Sequence, residues 1–301
     1  MTPSPIPLVL TLIANPAGPP LQVDTASIAF ARVPNGSPRW LDVGVAAEVA
    51  FHVRASEATA IEDDVRAAIG AAPLDVVVQP AQGRRKKLLV ADMDSTIIGQ
   101  ECVDELAERM GIGAEVAAIT GRSMRGEVAF EPALRERVAL LAGMPEAIIA
   151  EVIAERVRLM PGAKTLIGTM RAHGATTALL SGGFTAFTGA VAAMAGFDHH
   201  RANTLVIAEG KLAGTVVEPV FGRSGKLAAL RELREALGLD RSETMAVGDG
   251  ANDIAMIEEA GLGVAFHGKP VVAAAADVRI EHGDLTALLY LQGYSRAEFA
   301  G

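Results

Sequence analysis

Short apolar segments alternate with segments of helical periodicity from residue 87 onward. The apolar segments have the length of strands and are rich in branched aliphatic residues, whereas the segments between most of them repeat with the period of an α-helix. The predicted strands are 87–91, 175–180, 244–247, 262–266 and 278–280, and the predicted helices include 163–173, 224–237, 252–260 and 269–276. This alternation predicts an α/β fold built on a doubly wound parallel sheet. Ligands bind such sheets beyond the carboxyl ends of the strands.

Two other regions depart from this pattern. Residues 100–160 show only helical periodicity, which predicts a helical cap inserted after the first strand, where it would exclude water and contact a substrate. Residues 1–84 alternate strand-like and helix-like segments in roughly ferredoxin-like order, which predicts a small N-terminal α+β domain. The basic run 84–87 is expected to be a solvated linker to a second domain over 85–301.

The composition excludes several classes of function. The 301 residues carry a net charge of −9, and nucleic acid requires a basic surface in its partner. The single cysteine, Cys102, excludes a disulfide framework and favours a reducing compartment. No segment approaches the ~20 apolar residues that a membrane-spanning helix needs. We therefore expect a soluble, cytoplasmic protein with no nucleic-acid or membrane partner.

Two aspartates follow the first predicted strand of the sheet. Asp92 and Asp94 are two positions apart, so their side chains point to the same side if the backbone stays extended. Two carboxylates this close repel each other unless a cation, a proton or a phosphoryl group lies between them. The pair therefore predicts a site that binds Mg²⁺ and attacks phosphorus.

Two further features offer groups that can hold an anion. Ser181, Gly182 and Gly183 follow the second predicted strand and provide a hydroxyl and backbone N–H groups, although the same residues also form ordinary strand-to-helix turns. Lys226 lies near the start of a predicted helix, where a nearby anion or carboxylate cluster would explain its position. The alternative for Lys226 is a solvated surface lysine.

The segment 248–253 follows the predicted strand 244–247 and carries two more carboxylates. A hard cation prefers oxygen ligands, so Asp249 can bind a metal. The alternative is structural, since Asp249 or Asn252 can cap the helix that follows. The four motifs become specific only when they are taken together and in this order.

In that combination the chain resembles the phosphatases of the haloacid dehalogenase superfamily. The strings that carry the resemblance are Asp92-Met93-Asp94-Ser95-Thr96, Ser181-Gly182-Gly183-Phe184 and Gly248-Asp249-Gly250-Ala251-Asn252-Asp253, and they are similar to those of its phosphoserine phosphatase family. The resemblance covers residues 87–290 and implies the hydrolysis of O-phosphoserine to serine and phosphate, the last step of serine biosynthesis. Residues 1–84 loosely resemble that family's amino-acid-binding, ACT-like extension, so serine binding there and a homodimer are further expectations.

The resemblance also implies which residues carry the chemistry. Asp92 is the expected nucleophile, forming an aspartyl-phosphate, and Asp94 is the expected general acid and base. The expected ligands of Mg²⁺ are Asp92, the backbone carbonyl of Asp94, and Asp249. Asp253 is expected to orient water molecules on the metal.

Other residues are expected to bind the substrate. Those implied for the phosphoryl group are Ser181, Gly182, Lys226 and Asn252. In the cap, Glu101 would bind the amino group of phosphoserine and Arg137 its carboxylate. Arg135 lies two positions from Arg137, on a different face of the helix, and competes for that role.

Two alternatives fit the same motifs. The first keeps the mechanism but acts on another small phosphomonoester, or transfers the phosphoryl group to an alcohol other than water. The second is a non-enzymatic signalling module that stores a phosphoryl group on Asp92. Asp94 and the cap over 100–160 argue against storage, because both favour rapid turnover of an enclosed small substrate.

Overall fold

The computed structural model describes residues 4–34, 36–124 and 127–300. The strands are β1 Ile6–Ala14, β2 Pro38–Asp42, β3 Ala46–Val53, β4 Leu74–Pro80, β5 Leu88–Ala91, β6 Thr176–Phe184, β7 His199–Asn203, β8 Leu205–Ala208, β9 Lys211–Val216, β10 Thr244–Gly248, β11 Leu262–Phe266 and β12 Val278–Ile280. The helices are α1 Val23–Phe30, α2 Ala58–Ile69, α3 Cys102–Met110, α4 Gly113–Met124, α5 Phe130–Leu140, α6 Ala147–Glu155, α7 Ala163–Ala172, α8 Thr185–Ala195, α9 Arg223–Ala236, α10 Ile254–Glu259, α11 Pro270–Ala275 and α12 Ala287–Leu291. Within these ranges no helix has both the length and the apolar character that a bilayer span requires.

Six parallel strands form the central sheet, in the order β12-β11-β10-β5-β6-β7. Leu88 and Val90 of β5 pack into one core cluster, and Leu89 and Ala91 into another, because helices cover both faces of the sheet. From β5 the chain builds β6 and β7 on one side and then β10, β11 and β12 on the other. The strand order therefore reverses beside β5, and the predicted doubly wound parallel fold is confirmed.

Four antiparallel strands form a second sheet, in the order β2-β3-β1-β4. Helices α1 and α2 cover the face to which Leu8, Leu10 and Leu12 of β1 point. The other face packs against α12, whose five residues are all buried. Both faces of β1 are thus covered, which explains why its sequence is almost continuously apolar. The small N-terminal α+β unit is confirmed, and its boundary at residue 84 stays a prediction.

The basic run at this junction differs from the expected solvated linker. The side chain of Arg84 is only 9% exposed. Lys86 as a whole residue is also only 9% exposed. An Arg84 guanidinium nitrogen lies 2.8 Å from a carboxylate oxygen of Glu48, and its Nε donates to the Leu291 carbonyl at 2.9 Å. The linker prediction is therefore wrong for these two residues. Arg84 ties the N-terminal sheet to the end of α12, and the Lys86 ammonium donates to the Gly83 and Ser242 carbonyls.

The cap consists of α3, α4, α5 and α6, inserted between β5 and β6. Its two ends, residues 97–99 and 158–160, run antiparallel beside each other, with the Met160 N–H donating to the Ile97 carbonyl at 2.8 Å. We call these two paired segments the neck. The predicted insertion of a helical cap is confirmed, and the neck joins it to the edge of the sheet where the carboxyl ends of the strands lie.

Candidate active site

Asp92 lies directly after β5, in the middle of the sheet. Its backbone N–H donates to the Val247 carbonyl at 2.9 Å, which extends the pairing of β5 with β10 by one residue. Its side chain is buried, and Oδ1 accepts a 2.7 Å hydrogen bond from the Met93 N–H. The predicted nucleophile therefore has a fixed position where the strand order reverses, the place where such sheets bind ligands.

Asp94 is held by two hydrogen bonds. The Ser181 hydroxyl donates to Oδ2 at 3.3 Å, and the Cys102 N–H donates to Oδ1 at 3.1 Å. Burial, followed by repulsion from Glu101, raises the pKa of Asp94 to about 7. At neutral pH the group is near the midpoint of its titration, which suits a residue that first donates a proton and then accepts one.

Ser181 and the two glycines after it belong to β6, which continues to Phe184 instead of ending at residue 180. The Ser181 side chain is buried, and its Oγ accepts a 2.8 Å hydrogen bond from the Gly183 N–H. A Cβ on Gly182 would lie 2.8 Å from Cζ of Phe130 in the cap, so the absence of a side chain permits this close approach. These residues form the end of a strand rather than a turn.

Lys226 is completely buried in the first turn of α9. Its Nζ lies 2.6 Å from Oδ1 of Asp92 and 2.7 Å from Oδ1 of Asp253. Burial alone would lower the pKa of Lys226, but attraction by Asp253 and Asp92 outweighs burial and raises it. The solvated-lysine alternative is therefore wrong, and the ammonium group stays charged beside the predicted nucleophile.

Three carboxylates converge next to this lysine. Asp92, Asp249 and Asp253 each bring one oxygen to within 4.8 Å of the other two. Burial, followed by repulsion from Asp92, raises the pKa of both Asp249 and Asp253. Lys226 and the half-exposed Lys269, 3.6 Å from Asp249, carry two positive charges against three carboxylates. A buried set of oxygen ligands with excess negative charge fits a hard divalent cation such as Mg²⁺.

This cluster differs in one member from the predicted ligand set. Asp253, predicted to act through water, lies within the cluster, and its Oδ2 also accepts from the Gly250 N–H at 3.1 Å. Asn252 places its Nδ2 at 3.5 Å from Oδ1 of Asp253. The side chain of Asp94 lies outside the cluster, as expected if only its backbone carbonyl binds the metal. Metal binding by that carbonyl, phosphate binding by Asn252 and the orientation of water by Asp253 stay predictions.

The cap contributes one acidic and one basic residue beside Asp94. Glu101 precedes α3, and its Oε1 accepts a 2.8 Å hydrogen bond from the Ser95 hydroxyl. Arg137 of α5 is half-buried, and its guanidinium interacts electrostatically with Asp104, Glu101 and Asp94. Opposite charges are thereby available close together beside Asp94, as the two ends of an amino-acid zwitterion require.

The competing arginine of the cap faces elsewhere. Arg135 is exposed, and its guanidinium forms a two-pronged ion pair with Glu218, with N–O distances of 2.8 and 3.0 Å. The structure therefore directs Arg137, rather than Arg135, toward the acidic site. This arrangement supports the predicted choice between the two.

The fold and the site agree with a family comparison. Residues 89–258, more than half of the chain, match the family model for haloacid dehalogenase-like hydrolases. This chain is a haloacid dehalogenase-like hydrolase. The match includes Asp92 after β5, Lys226 in α9 and Asp249 after β10, which meet at one site.

Individual relatives of this hydrolase are similar in sequence and structure. A phosphoserine phosphatase of Streptomyces coelicolor is 41% identical over 269 residues, which are 89% of this chain and 63% of the relative, so the chain spans less than two thirds of that protein. The structure of a probable phosphoserine phosphatase from Vibrio cholerae superimposes with a TM-score of 0.76 at 33% identity, over 97% of this chain and 88% of that one. A phospho-aspartyl intermediate analogue of a phosphoserine phosphatase superimposes with a TM-score of 0.64 at 37% identity, over 68% of this chain and 98% of that one.

Two residues beside the site of this hydrolase belong to none of the sequence motifs. Lys269 lies three residues after the end of β11, its Nζ is 3.6 Å from Oδ2 of Asp249, and its N–H donates to the Asp249 carbonyl at 3.0 Å. Asp104 lies in the first turn of α3, three residues after Glu101, and interacts electrostatically with Arg137. The sequence offered one signal for each residue. Lys269 follows the end of a predicted strand, and Asp104 lies one helical turn after Glu101.

Proposed function

We propose that this hydrolase converts O-phosphoserine into serine and inorganic phosphate. The proposal rests on one observation: the site contains a buried Asp92–Lys226 contact of 2.6 Å, and the cap adds the opposite charges of Glu101 and Arg137 beside it. The first feature serves phosphoryl chemistry, and the second serves an alcohol that carries both an amino and a carboxylate group. Relatives named phosphoserine phosphatase support the same substrate.

The substrate would bind with its ends separated. Glu101 accepts hydrogen bonds from the substrate ammonium group, and Arg137 donates to its carboxylate. Lys226 and the Ser181 hydroxyl hold phosphoryl oxygens, which places the phosphorus next to Asp92. Phe130 of the cap covers Gly182 and helps to exclude water from the phosphoryl group.

The chemistry then proceeds in two displacements at phosphorus. A carboxylate oxygen of Asp92 forms a bond to phosphorus while the bond to the serine oxygen breaks, and Asp94 gives its proton to that oxygen. Water then attacks the aspartyl-phosphate, Asp94 takes a proton from the water, and phosphate leaves with the Asp92 carboxylate restored. Mg²⁺ bound by Asp92, Asp249 and the backbone carbonyl of Asp94 would supply positive charge against the phosphoryl oxygens. The ammonium of Lys226 adds a second, permanent positive charge.

A phosphate-release screen tests this function. The purified protein is given phosphoserine, phosphothreonine, glycerol 3-phosphate and p-nitrophenyl phosphate, each with Mg²⁺ and with a chelator. We expect the highest kcat/KM for phosphoserine and loss of activity in the chelator. Equal turnover of all four esters would replace the proposal with a general phosphomonoesterase, the first alternative from the sequence.

The signalling alternative makes a different prediction. A module that stores a phosphoryl group would keep the aspartyl-phosphate for hours, whereas a carboxyl group with a pKa of about 7 beside Asp92 favours its hydrolysis. Serine binding by the N-terminal unit, a homodimer and a cytoplasmic location stay predictions from the sequence.

A further inference from the structure

A buried carboxylate of the N-terminal sheet binds a loop of the catalytic sheet. Asp75 in β4 is 1% exposed, and its Oδ1 accepts hydrogen bonds from the backbone N–H groups of Glu281 at 2.7 Å and His282 at 3.1 Å. Its Oδ2 accepts from the Gly283 N–H at 2.8 Å. We call residues 281–283 the docking loop. Three N–H groups converging on one carboxylate are a specific interaction, because no other side chain except glutamate offers as many acceptor sites.

The docking loop is so close to Asp75 that its last residue has little room for a side chain. A Cβ on Gly283 would lie 3.0 Å from Oδ2 of Asp75. The loop follows directly after β12, the edge strand of the catalytic sheet. Its position therefore depends on the N-terminal sheet as well as on its own strand.

The docking loop in turn holds the residue that follows β11. Nε2 of His267 donates to the Gly283 carbonyl at 2.8 Å, since a carbonyl oxygen can only accept. The His267 N–H donates to the Ile280 carbonyl at 2.8 Å, and the ring stacks on Phe266 at 4.2 Å. His267 has a φ of +47°, a conformation that residues with a side chain rarely adopt. Hydrogen bonds from both its backbone and its ring stabilise this unusual conformation.

Two residues further on, the same segment reaches the acidic cluster. The Lys269 N–H donates to the Asp249 carbonyl at 3.0 Å, and its Nζ lies 3.6 Å from Oδ2 of Asp249. An unbroken series of contacts thus runs from Asp75 through the docking loop and His267 to Asp249. Each step is a hydrogen bond or a covalent link of two residues.

We propose that Asp75 is a positioning residue for the metal site, which acts through the docking loop and His267 to hold Asp249 in its ligating position. The inference rests on the proposed function only in taking Asp249 as a ligand of Mg²⁺. The N-terminal unit would then contribute to metal binding even when no amino acid is bound to that unit. Loss of the carboxylate removes three of the hydrogen bonds that hold the docking loop and leaves the one from the Asn15 amide to the His282 carbonyl. Asp249 then has to be ordered in part by the metal, which weakens binding.

The test measures the Kd for Mg²⁺ by titration calorimetry on the full chain, without substrate. Asp75→Asn keeps the shape of the side chain but turns an N–H₂ group toward the loop N–H groups, and we expect the Kd to rise about 5- to 10-fold. His267→Phe removes the hydrogen bond from the exposed His267 ring to the Gly283 carbonyl, a later step of the same series. This variant should weaken Mg²⁺ binding to a similar extent. The double variant should be no weaker than the stronger single variant, because both changes interrupt one series.

The matched control is Tyr290→Phe. It removes a 2.7 Å hydrogen bond from the Tyr290 hydroxyl to Asp42, which joins the N-terminal sheet to α12 and takes no part in the series that runs through Asp75 and His267. We expect this variant to lose stability and to keep the Kd of the parent. High Mg²⁺ should restore the kcat of Asp75→Asn, a rescue that a misfolded site would not show.

The outcomes separate the two proposals. An unchanged Kd in both Asp75→Asn and His267→Phe would overturn the positioning role, and so would an equal loss of affinity in Tyr290→Phe. A parent protein that binds no Mg²⁺ would instead overturn the metal-dependent function. If Asp75→Asn does not fold, the Kd of His267→Phe alone decides the positioning role.

Discussion

Lys226 and Asp92 form a buried ion pair, with 2.6 Å between Nζ and Oδ1 and no exposed surface on the lysine side chain. The same ammonium group contacts Asp253 at 2.7 Å, so one cation separates two carboxylates that would otherwise repel each other. This contact therefore joins the proposed nucleophile to the cation that stabilises its buried charge.

Removal of the buried Lys226 cation should lower both the stability and the phosphatase activity of the protein. In Lys226→Met, Asp92 and Asp253 lose the buried counter-ion that they share. We expect a loss of about 3–5 kcal/mol in the free energy of unfolding together with loss of phosphatase activity. Denaturant unfolding in a chelator measures the first effect. The control is Lys87→Met, which breaks an ion pair of the same 2.6 Å length with Glu243 where the lysine is 64% exposed, and should change stability little. Equal effects of the two substitutions would contradict the role given to burial.

Replacement of the predicted nucleophile should abolish the covalent step. Asp92→Asn retains the size of the side chain but offers a neutral amide, and we expect kcat to fall on the order of 10⁴-fold. Acid quenching with labelled phosphoserine should trap phosphate on the parent protein and none on the variant. Labelled variant protein would place the nucleophile elsewhere.

The two arginines of α5 should differ sharply. Arg137→Ala should raise KM for phosphoserine about 10- to 100-fold, because a hydrogen bond between charged groups contributes about 1.5–3 kcal/mol. Its activity on p-nitrophenyl phosphate, which has no carboxylate, should change little. Arg135→Ala, which removes exposed ion pairs with Glu218 and Glu131, should leave the activity on both substrates unaffected. If Arg137→Ala lowered activity on both substrates equally, Arg137 would not bind the carboxylate.

The raised pKa of Asp94 should appear as a dependence of stability on pH. Its folded-state pKa is about 7 against an ordinary value of 3.8, so the folded protein binds more protons than the unfolded chain between these values. Stability contributed by this group is therefore present below pH 4 and is lost as the pH rises toward 7. In a chelator, Asp94→Asn should lose less stability than the parent between pH 5 and pH 8. Parallel thermal-unfolding curves for the two proteins would show that Asp94 titrates normally.

The sequence predicted the parts of the site that follow buried strands. Asp92, Ser181 and Asp249 each come after an apolar run, and the geometry of a parallel sheet brings such residues together. The burial of Lys226 was not predictable from its surroundings in the sequence, because the helix containing it is mostly polar. Burial of this lysine is fixed by Asp92 and Asp253, which are distant in the chain, and no local pattern records that contact.

Two strands were difficult to predict for a related reason. β7, His199–Asn203, is an exposed edge strand with a polar sequence, so it lacks the apolar signal on which strand prediction depends. The end of β6 contains two glycines, which usually interrupt strands, but the packing of Phe130 on Gly182 and the hydrogen bonds of Ser181 keep it extended. In both cases tertiary contacts outweigh local preference.

The neck has a consequence for how such an enzyme can diversify. It attaches the cap to the segment that follows β5 and to the start of α7, and neither attachment lies within the six-stranded sheet. The cap is therefore a module that substitutions or insertions can reshape while Asp92, Lys226 and Asp249 keep their places. Under the proposed function, recognition of the leaving alcohol and cleavage of the phosphate ester would lie on separate stretches of chain, and each would be free to change without the other.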